Sequence, residues 1–211
     1  MATDQLLETK EKVLAAAGPI FAAKGFKETT VREICQAAGV NIAAVNYYFG
    51  DKERLYIESI KRAHLSRLEQ VPLPGWTART TPEERLHDII RTLLERMLEN
   101  PADEWHAQLM LREMLHPTGA CDELVQDYIR RQFDLLLAVL GQLLPETTPA
   151  SERRLIAFSI VGQCLYHRIA RPVVGRLVPA EEFRHYDPEF LAKHIAGFSL
   201  AAIGRAAGGG T

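Results

Sequence analysis

Apolar residues recur every three or four positions along nearly the whole chain, and this periodicity constrains the fold more than any other feature. Leu6, Val13 and Ile20 fall seven residues apart with Ala17 between them, which places all four on one face of a helix. Alternating runs of β-branched residues, the usual sign of strands, are absent from the sequence. The sequence therefore predicts an all-α protein.

Start and stop signals divide the first 70 residues into four helices. Thr30 and Glu33 form a capping box, and Asn41 and Asp51 are N-cap residues for the two helices that follow. Pro19 lies inside the first apolar stripe, where a proline is expected to kink or break the helix. The predicted helices cover residues 4–24, 30–38, 41–48 and 51–69.

Residues 71–81 read VPLPGWTARTT, and their two prolines and one glycine make this segment a candidate joint between domains. Thr81 and Glu84 form a second capping box, with a proline at the first helical position. Ser151 and Asp187 are predicted to begin later helices. The predicted helices beyond the joint cover residues 81–99, 102–115, 121–144, 151–170 and 188–206.

The last two predicted helices are apolar on more than one face and are rich in small residues. One face can be buried in the chain's own core, which leaves a second apolar face that needs a partner. We therefore expect a symmetric homodimer in which two helices of each chain form a four-helix layer. Central helices of a monomer are the alternative. The predicted interface residues are Ile156, Ile160, Ile195, Phe198 and Ala202.

The helices 30–38 and 41–48 are short and are joined by a tight turn at Gly39, which is the layout of a helix-turn-helix motif. The second helix of this motif enters the major groove of DNA, and small residues at its start let the backbone approach the phosphates. Ala43 and Ala44 meet that demand. A turn of an ordinary helical bundle with surface aromatic residues is the structural alternative.

The side chains on and after this second helix have the chemistry that contacts with DNA require. Asn46 and Tyr47 are predicted to lie on its exposed side, where an asparagine can pair with adenine through two hydrogen bonds. Tyr48 and Lys52 are placed to contact phosphates, and the helix start near Asp51 could bind another phosphate through its free amides. The pattern therefore predicts an interface with double-stranded DNA.

The string FAAKGFKETTVREICQAAGVNIAAVNYYFGDKERLY resembles the TetR family of transcriptional regulators, with a match that covers residues 13–57. It has the family's phenylalanine-to-glycine helix end, its Ala-Gly-Val turn and its Tyr-Phe-x-x-Lys-x-x-Leu pattern. The resemblance implies a three-helix DNA-binding domain over residues 1–50, a connecting helix over 51–70 and an all-α regulatory and dimerisation domain over 71–211.

The same resemblance implies which residues contact DNA. The predicted set is Thr30, Arg32, Asn41, Ile42, Ala43, Ala44, Asn46, Tyr47, Tyr48 and Lys52. Within it, Thr30, Tyr48 and Lys52 match the family's phosphate contacts, while the other matched positions approach bases. Many members have tyrosine where this chain has Asn46, and a polar or basic residue where it has Ile42, so no relative's operator can be transferred to this chain.

The C-terminal half is similar to the CecR-type regulatory domain of that family over residues 109–174, which include LREMLHPTGACDELVQDYIRRQFDLLLAVLGQLLP and VGQCLYHRIARPVV. The resemblance implies a ligand-responsive regulator: a repressor that binds a palindromic operator as a homodimer and is released by a small-molecule effector. Two alternatives stay open. The protein could activate transcription, or it could have lost DNA binding and act on small molecules or protein partners.

An effector cavity is predicted between the helices of residues 81–170, with Arg112 and Arg168 as further polar anchors. Aromatic and methionine side chains at helical spacing also fill ordinary cores, which is the alternative for each of them. The predicted lining residues are Trp105, Met110, Met114, Phe133, Gln163, Tyr166 and His167.

Composition argues against several other classes of protein. The net charge of −2 means that DNA would have to bind to a local basic patch. No apolar run reaches the roughly 20 residues that span a bilayer, and the N-terminal residues lack the apolar centre of a signal peptide, so we expect a cytoplasmic protein. Cys35, Cys121 and Cys164 have no metal-binding or paired spacing and are expected to be small buried groups.

The spacing Glu-x-x-His, used by di-iron helix bundles, occurs at residues 84–87, 113–116 and 182–185. Each pair lies at a predicted helix end or in a loop, whereas a bundle site projects from helix interiors. The sequence also lacks the Gly-x-Ser-x-Gly motif and a phosphate-binding glycine loop. We therefore predict no enzyme activity, no metal and no cofactor, with a metal-dependent bundle enzyme as the alternative.

Overall fold

The structure is a computed structural model that describes residues 2–98 and 104–208. Regular structure within these ranges is entirely helical, which confirms the predicted fold class. The elements are α1 (Ala2–Glu28), α2 (Val31–Ala38), α3 (Ile42–Phe49), α4 (Lys52–Gln70), α5 (Pro82–Leu98), α6 (Glu104–Leu115), α7 (Gly119–Leu124), a π-helical turn (Val125–Ile129), α8 (Arg130–Leu143), α9 (Ala150–Ile169), α10 (Arg171–Leu177), α11 (Ala180–Phe183) and α12 (Pro188–Gly208).

The N-terminal caps predicted for α2, α3 and α4 are present. Thr30 Oγ1 accepts a hydrogen bond from the Glu33 amide at 3.3 Å, and Asn41 Oδ1 accepts one from the Ala44 amide at 2.9 Å. Asp51 caps α4 in the same way. These bonds satisfy amides that have no partner within their own helix, and they fix where α2, α3 and α4 begin.

The predicted end of the first helix after residue 24 is confirmed as a break at Gly25, whereas the kink or break expected at Pro19 was wrong, because the helix passes the proline. Gly25 has φ 82° and ψ 172°, a backbone conformation that residues other than glycine rarely adopt. Pro19 and Ala15 both lie on the exposed side of α1. Water can therefore bond to the Ala15 carbonyl, which the proline leaves without an amide donor.

Three other boundaries differ from those predicted. The helix expected over residues 121–144 is divided into α7, the π-helical turn and α8. Helix α9 begins at Ala150 after Pro149, without a side-chain cap, so the predicted Ser151 cap was wrong. Helices α10 and α11 fill a segment for which no helix was predicted. The predicted helix end at Glu99 and the predicted helix start at residue 102 lie outside the described residues.

The described residues form two compact units. The first unit contains residues 2–70 and 104–129, and its core joins α1 to α4 with α6 and α7. Leu109, Ala120 and Leu124 are fully buried in this core, together with residues of the N-terminal helices. The packing therefore assigns residues 104–129 to the same unit as the helix-turn-helix, whereas the predicted division grouped them with the rest of residues 71–211.

The second unit contains residues 71–98 and 130–208. Its core is formed by apolar faces of α5, α8, α9 and α12, with Leu86, Ile90 and Leu140 fully buried at its centre. Trp76 of the predicted joint packs against this core, and its ring N–H donates to Asp88 at 3.1 Å. The joint is thus folded onto the second unit rather than extended.

The cysteines follow the prediction in part. Cys35 and Cys164 are buried, while Cys121 is partly exposed, and all three are free thiols. Burial raises the pKa of Cys164 to about 12, which keeps it protonated at neutral pH. No helix among the described residues is both long enough and apolar enough to cross a bilayer.

Candidate nucleic-acid interface

Helix α3 is held in the first unit by one apolar edge. Val45 and Phe49, one turn apart on that edge, are buried in the core with Ile34 of α2. Gly39 and Gly50, at the two ends, have φ values of 67° and 79°, which let the chain turn sharply before and after the helix. Gly39 ends α2 and Gly50 ends α3, so α3 is confined to the short segment between the two glycines.

The opposite edge of α3 is open to solvent. Tyr47 is 73% exposed and Ile42 is 48% exposed, and Ala43 and Asn46 are exposed beside them. Tyr47 and Ile42 therefore form an exposed apolar surface on the edge of α3 that faces away from the core. The predicted base-contacting side chains thus lie where a groove could receive them.

The remaining predicted DNA contacts surround this edge. Thr30, Arg32 and Asn41 are exposed at the starts of α2 and α3, whereas Ala44 is partly buried. Tyr48 is half-buried against the core, and its ring meets that of Tyr47 edge to face with centroids 5.0 Å apart. Tyr48 therefore gives the exposed Tyr47 ring a packing partner on the same helix.

Lys52, which was predicted to contact a phosphate, makes contacts within the first unit. Its Nζ donates to the Thr29 carbonyl at 2.9 Å and to the Lys27 carbonyl at 3.4 Å, and it lies 4.5 Å from the centre of the Phe26 ring. The ammonium is thus directed into the turn between α1 and α2. The Asp51 carboxylate accepts a hydrogen bond from the Arg54 amide at 2.7 Å. A carboxylate therefore already lies at the start of α4, where a phosphate was predicted to bind.

The predicted dimer residues divide between two faces of the second unit. Ile160 and Ile195 are only 2% and 1% exposed, and Ile156 also packs against the core, so these three face inward in the single chain. Phe198 is 61% exposed and Ala202 is exposed. The sequence missed the outward stripe, which comprises Leu155, Phe158, Tyr166 and Ile169 on α9 and Phe190 on α12.

The seven predicted pocket residues are shared between the two units, so their common cavity stays a prediction. Trp105 and Met110 pack against the core of the first unit, and Met114 is half exposed on the same helix. Phe133, Gln163, Tyr166 and His167 belong to the second unit, where Phe133 stacks on Phe158 with centroids 5.0 Å apart. Burial and the nearby His194 lower the pKa of His167, which favours its neutral form.

The three Glu-x-x-His pairs do not converge as metal ligands. Glu84 accepts from the Thr81 amide, both oxygens of Glu113 accept bonds within the first unit, and Glu182 accepts from Tyr186. His87 faces Glu189 at 3.4 Å instead of Glu84. In the part of the chain that the structure describes, no three histidine, cysteine, aspartate or glutamate side chains gather closely enough to hold a metal ion.

Comparisons with known proteins match both parts of the chain. Residues 13–58 match the model of bacterial regulatory proteins of the tetR family, and residues 82–203 match that of the C-terminal domain of the HTH-type transcriptional dual regulator CecR. The CecR protein of Shigella flexneri is 27% identical over 181 residues, which are 79% of this chain and 78% of that protein.

Solved structures show the same fold. HlyIIR, a haemolysin II transcriptional regulator, matches with a TM-score of 0.60 and 20% identity, over 94% of this chain and 98% of that one. A regulatory protein of the tetR family from Rhodococcus RHA1 matches with a TM-score of 0.65 and 19% identity, over 92% and 96% of the two chains.

The fold and the exposed α3 define a helix-turn-helix transcriptional regulator. The chain belongs to the TetR family of bacterial regulatory proteins, and its C-terminal part belongs to the family of CecR C-terminal domains. The proteins that it resembles are transcriptional regulators and not enzymes.

Proposed function

We propose that this protein is a ligand-responsive repressor that binds a palindromic operator as a homodimer and leaves it when a small-molecule effector binds. The observation that carries the proposal is the outward edge of α3, where Asn46, Tyr47 and Ile42 are exposed on a helix whose other edge is buried. Direct reading of bases requires side chains in this arrangement.

Each side chain on that edge suits a different contact. Asn46 can accept and donate at an adenine edge, whereas Ile42 and Tyr47 offer apolar surface to thymine methyl groups and sugars. Arg32 supplies an exposed positive charge at the start of the preceding helix. In this proposal Asn46 and Ile42 set base preference, while Arg32, Thr30 and the Tyr48 hydroxyl fix the register on the backbone.

The outward stripe of the second unit supports the homodimer. Leu155, Phe158 and Tyr166 follow one another at helical spacing on α9, and Phe198 lies outward on α12, the helix next to it. Exposed aromatic and leucine side chains in such a row are typical of a surface that a partner covers. A two-fold axis at this surface would give the dimer two copies of α3, as a palindromic operator requires.

Effector binding is proposed to act on DNA affinity through the conformation of the dimer. The effector would favour a dimer conformation in which the distance between the two α3 helices does not match the spacing of successive major grooves. Such an effector must weaken operator binding by the same factor as the operator weakens effector binding. Repression is proposed because TetR-family regulators generally repress, but the relative in Shigella flexneri is named a dual regulator. A reporter fused to the bound promoter distinguishes activation from repression.

Selection of bound fragments from the source genome by the purified protein tests the proposal. We expect recovered fragments to share a two-fold symmetric sequence, and their binding to fall steeply with salt because phosphate contacts release counterions. Protein that enriches no sequence, or that binds random duplex with no salt dependence, would contradict the proposed function. Metal analysis of the same sample tests the bundle-enzyme alternative.

A further inference from the structure

The junction between α1 and α2 determines where the helix-turn-helix lies, and it is built around a helix break. Gly25 leaves helical geometry at φ 82°, and α2 begins only at Val31. Carbonyl groups in the last turn before a helix break lack regular amide donors, and the negative end of the helix dipole lies at the same point. Donors from elsewhere in the chain are therefore needed to hold this junction in one conformation.

Arg112 of α6 supplies those donors. Its Nε donates to the Ala22 carbonyl at 2.6 Å, and its Nη2 donates to the Ala23 carbonyl at 2.7 Å. A guanidinium presents its N–H groups in a rigid planar fork, so two short bonds fix both the distance and the direction of the carbonyls. A Cβ on Gly25 would lie 3.1 Å from Arg112 Nη1, which shows how closely the arginine approaches the break.

Helix α6 is itself firmly placed in the first unit. The Trp105 ring fills the space above Gly18 of α1, where a Cβ would overlap it. At the other end, the buried Glu113 carboxylate accepts from the Tyr56 hydroxyl of α4 at 2.9 Å and from the Thr118 amide at 2.6 Å. The Arg112 backbone is thus anchored on both sides, so its side chain can impose a position on α1.

We propose that Arg112 is a positioning residue for DNA recognition, which holds the α1–α2 junction in the conformation that presents α3 to the major groove. The inference rests on the proposed function of α3. It adds that an arginine about 90 residues along the chain from the junction, and outside the helix-turn-helix, sets the affinity for operator DNA. Arg112 was expected to anchor an effector, but both of its bonded nitrogens face backbone carbonyls.

The test compares full-length variants on two duplexes: a genomic fragment recovered by the selection above and a scrambled duplex of the same length and composition. Arg112→Met keeps the length of the side chain but removes every donor. We expect it to weaken binding to the recovered fragment about tenfold, because only a fraction of molecules then hold the competent conformation. Arg112→Lys keeps one charged donor and is expected to recover part of the loss, which also keeps the test valid if Arg112→Met does not fold.

Two control variants separate positioning from charge and from general stability. Arg131→Met removes one positive charge from an exposed site on α8 in the second unit. Ile60→Val removes one methylene from the core of the first unit, at a buried site on α4 that takes no part in anchoring α6. We expect Ile60→Val to lower the thermal unfolding midpoint while the affinity of the folded protein for the recovered fragment stays within about twofold of wild type.

The outcomes distinguish this inference from the proposed function. If wild-type protein prefers no genomic fragment, the proposed function is refuted and the inference with it. If wild-type protein prefers its fragment and Arg112→Met loses no more affinity than Arg131→Met, the inference alone is overturned. Equal losses for Ile60→Val and Arg112→Met, measured well below both unfolding midpoints, would also overturn it, because any weakening of the unit would then suffice.

Discussion

Lys52 offers a sharp test of how the first unit is arranged, because two roles for it predict different salt dependences. The TetR resemblance implies a phosphate contact, whereas the structure directs its ammonium to the carbonyls of Thr29 and Lys27 and to the Phe26 ring. We expect Lys52→Met to leave the salt dependence of DNA binding nearly unchanged and to destabilise the fold.

The magnitudes follow from general values. One phosphate contact contributes about 0.9 to the slope of log binding constant against log salt concentration, so its loss is readily measured. Hydrogen bonds from a charged donor contribute roughly 1.5–3 kcal/mol when buried. Lys52 is only half-buried, so we expect Lys52→Met to lower the free energy of unfolding by about 1–2 kcal/mol.

The assay is fluorescence anisotropy of a labelled duplex, titrated with protein at several salt concentrations, alongside denaturant unfolding of the same samples. Arg32→Met is the matched control, since Arg32 is exposed at the start of α2 and carries the same charge. We expect this control to reduce the slope with little change in stability. A slope lowered by about 0.9 in Lys52→Met, with unchanged unfolding, would refute the internal role.

Three further predictions address the base contacts, the dimer and the electrostatics of the first unit. We expect Asn46→Ala to change the preference at one base pair of each half-site by about 1–3 kcal/mol, measured by competition with singly substituted duplexes. Equal losses of affinity for all duplexes would contradict a base contact. Phe198→Glu should yield folded monomers in sedimentation, because the ring is 61% exposed in the single chain, and an unchanged dimer would exclude this face. Hydrogen bonding from Lys61 lowers the pKa of Glu123 below its usual 4.5. We therefore expect Glu123→Gln to be less stable than wild type above that pH, and this difference in unfolding free energy to disappear as the pH falls through the pKa of Glu123 in the folded protein. A difference that persists in acid would contradict the prediction.

Local features of the fold were predictable because the groups that decide them are close in sequence. Thr30, Asn41 and Asp51 each cap a helix through an amide three residues away, so the pattern alone reveals the bond. The exposed edge of α3 follows in the same way, since Val45 and Phe49 define the buried edge by helical spacing. The helix-turn-helix was therefore recognised with its side chains on the correct faces.

The outward face of the C-terminal helices was harder, because both faces of α9 are apolar. Ile156, Ile160 and Cys164 line its inward side, and Leu155, Phe158 and Tyr166 line the other. Hydrophobicity cannot decide which stripe a single chain buries when the two are alike. The predicted interface therefore combined inward residues of α9 and α12 with outward ones such as Phe198, and which of them meet a partner stays a prediction.

Long-range polar contacts were missed altogether. Arg112 meets Ala22 across about 90 residues and Tyr56 meets Glu113 across 57, and neither pair has a sequence signal. The same holds for the bonds from Lys52 to the carbonyls of Lys27 and Thr29, which have no signal in the sequence. Such contacts depend on how helices pack, so they require the fold before they can be found.

Footprinting of the protein on a recovered genomic fragment tests the central claim most directly, namely that two copies of α3 enter successive major grooves. Hydroxyl-radical cleavage and guanine methylation should show two symmetric protected patches on one face of the duplex, with centres about 34–36 Å apart. One continuous or unsymmetric patch, or protection confined to the minor groove, would contradict the account.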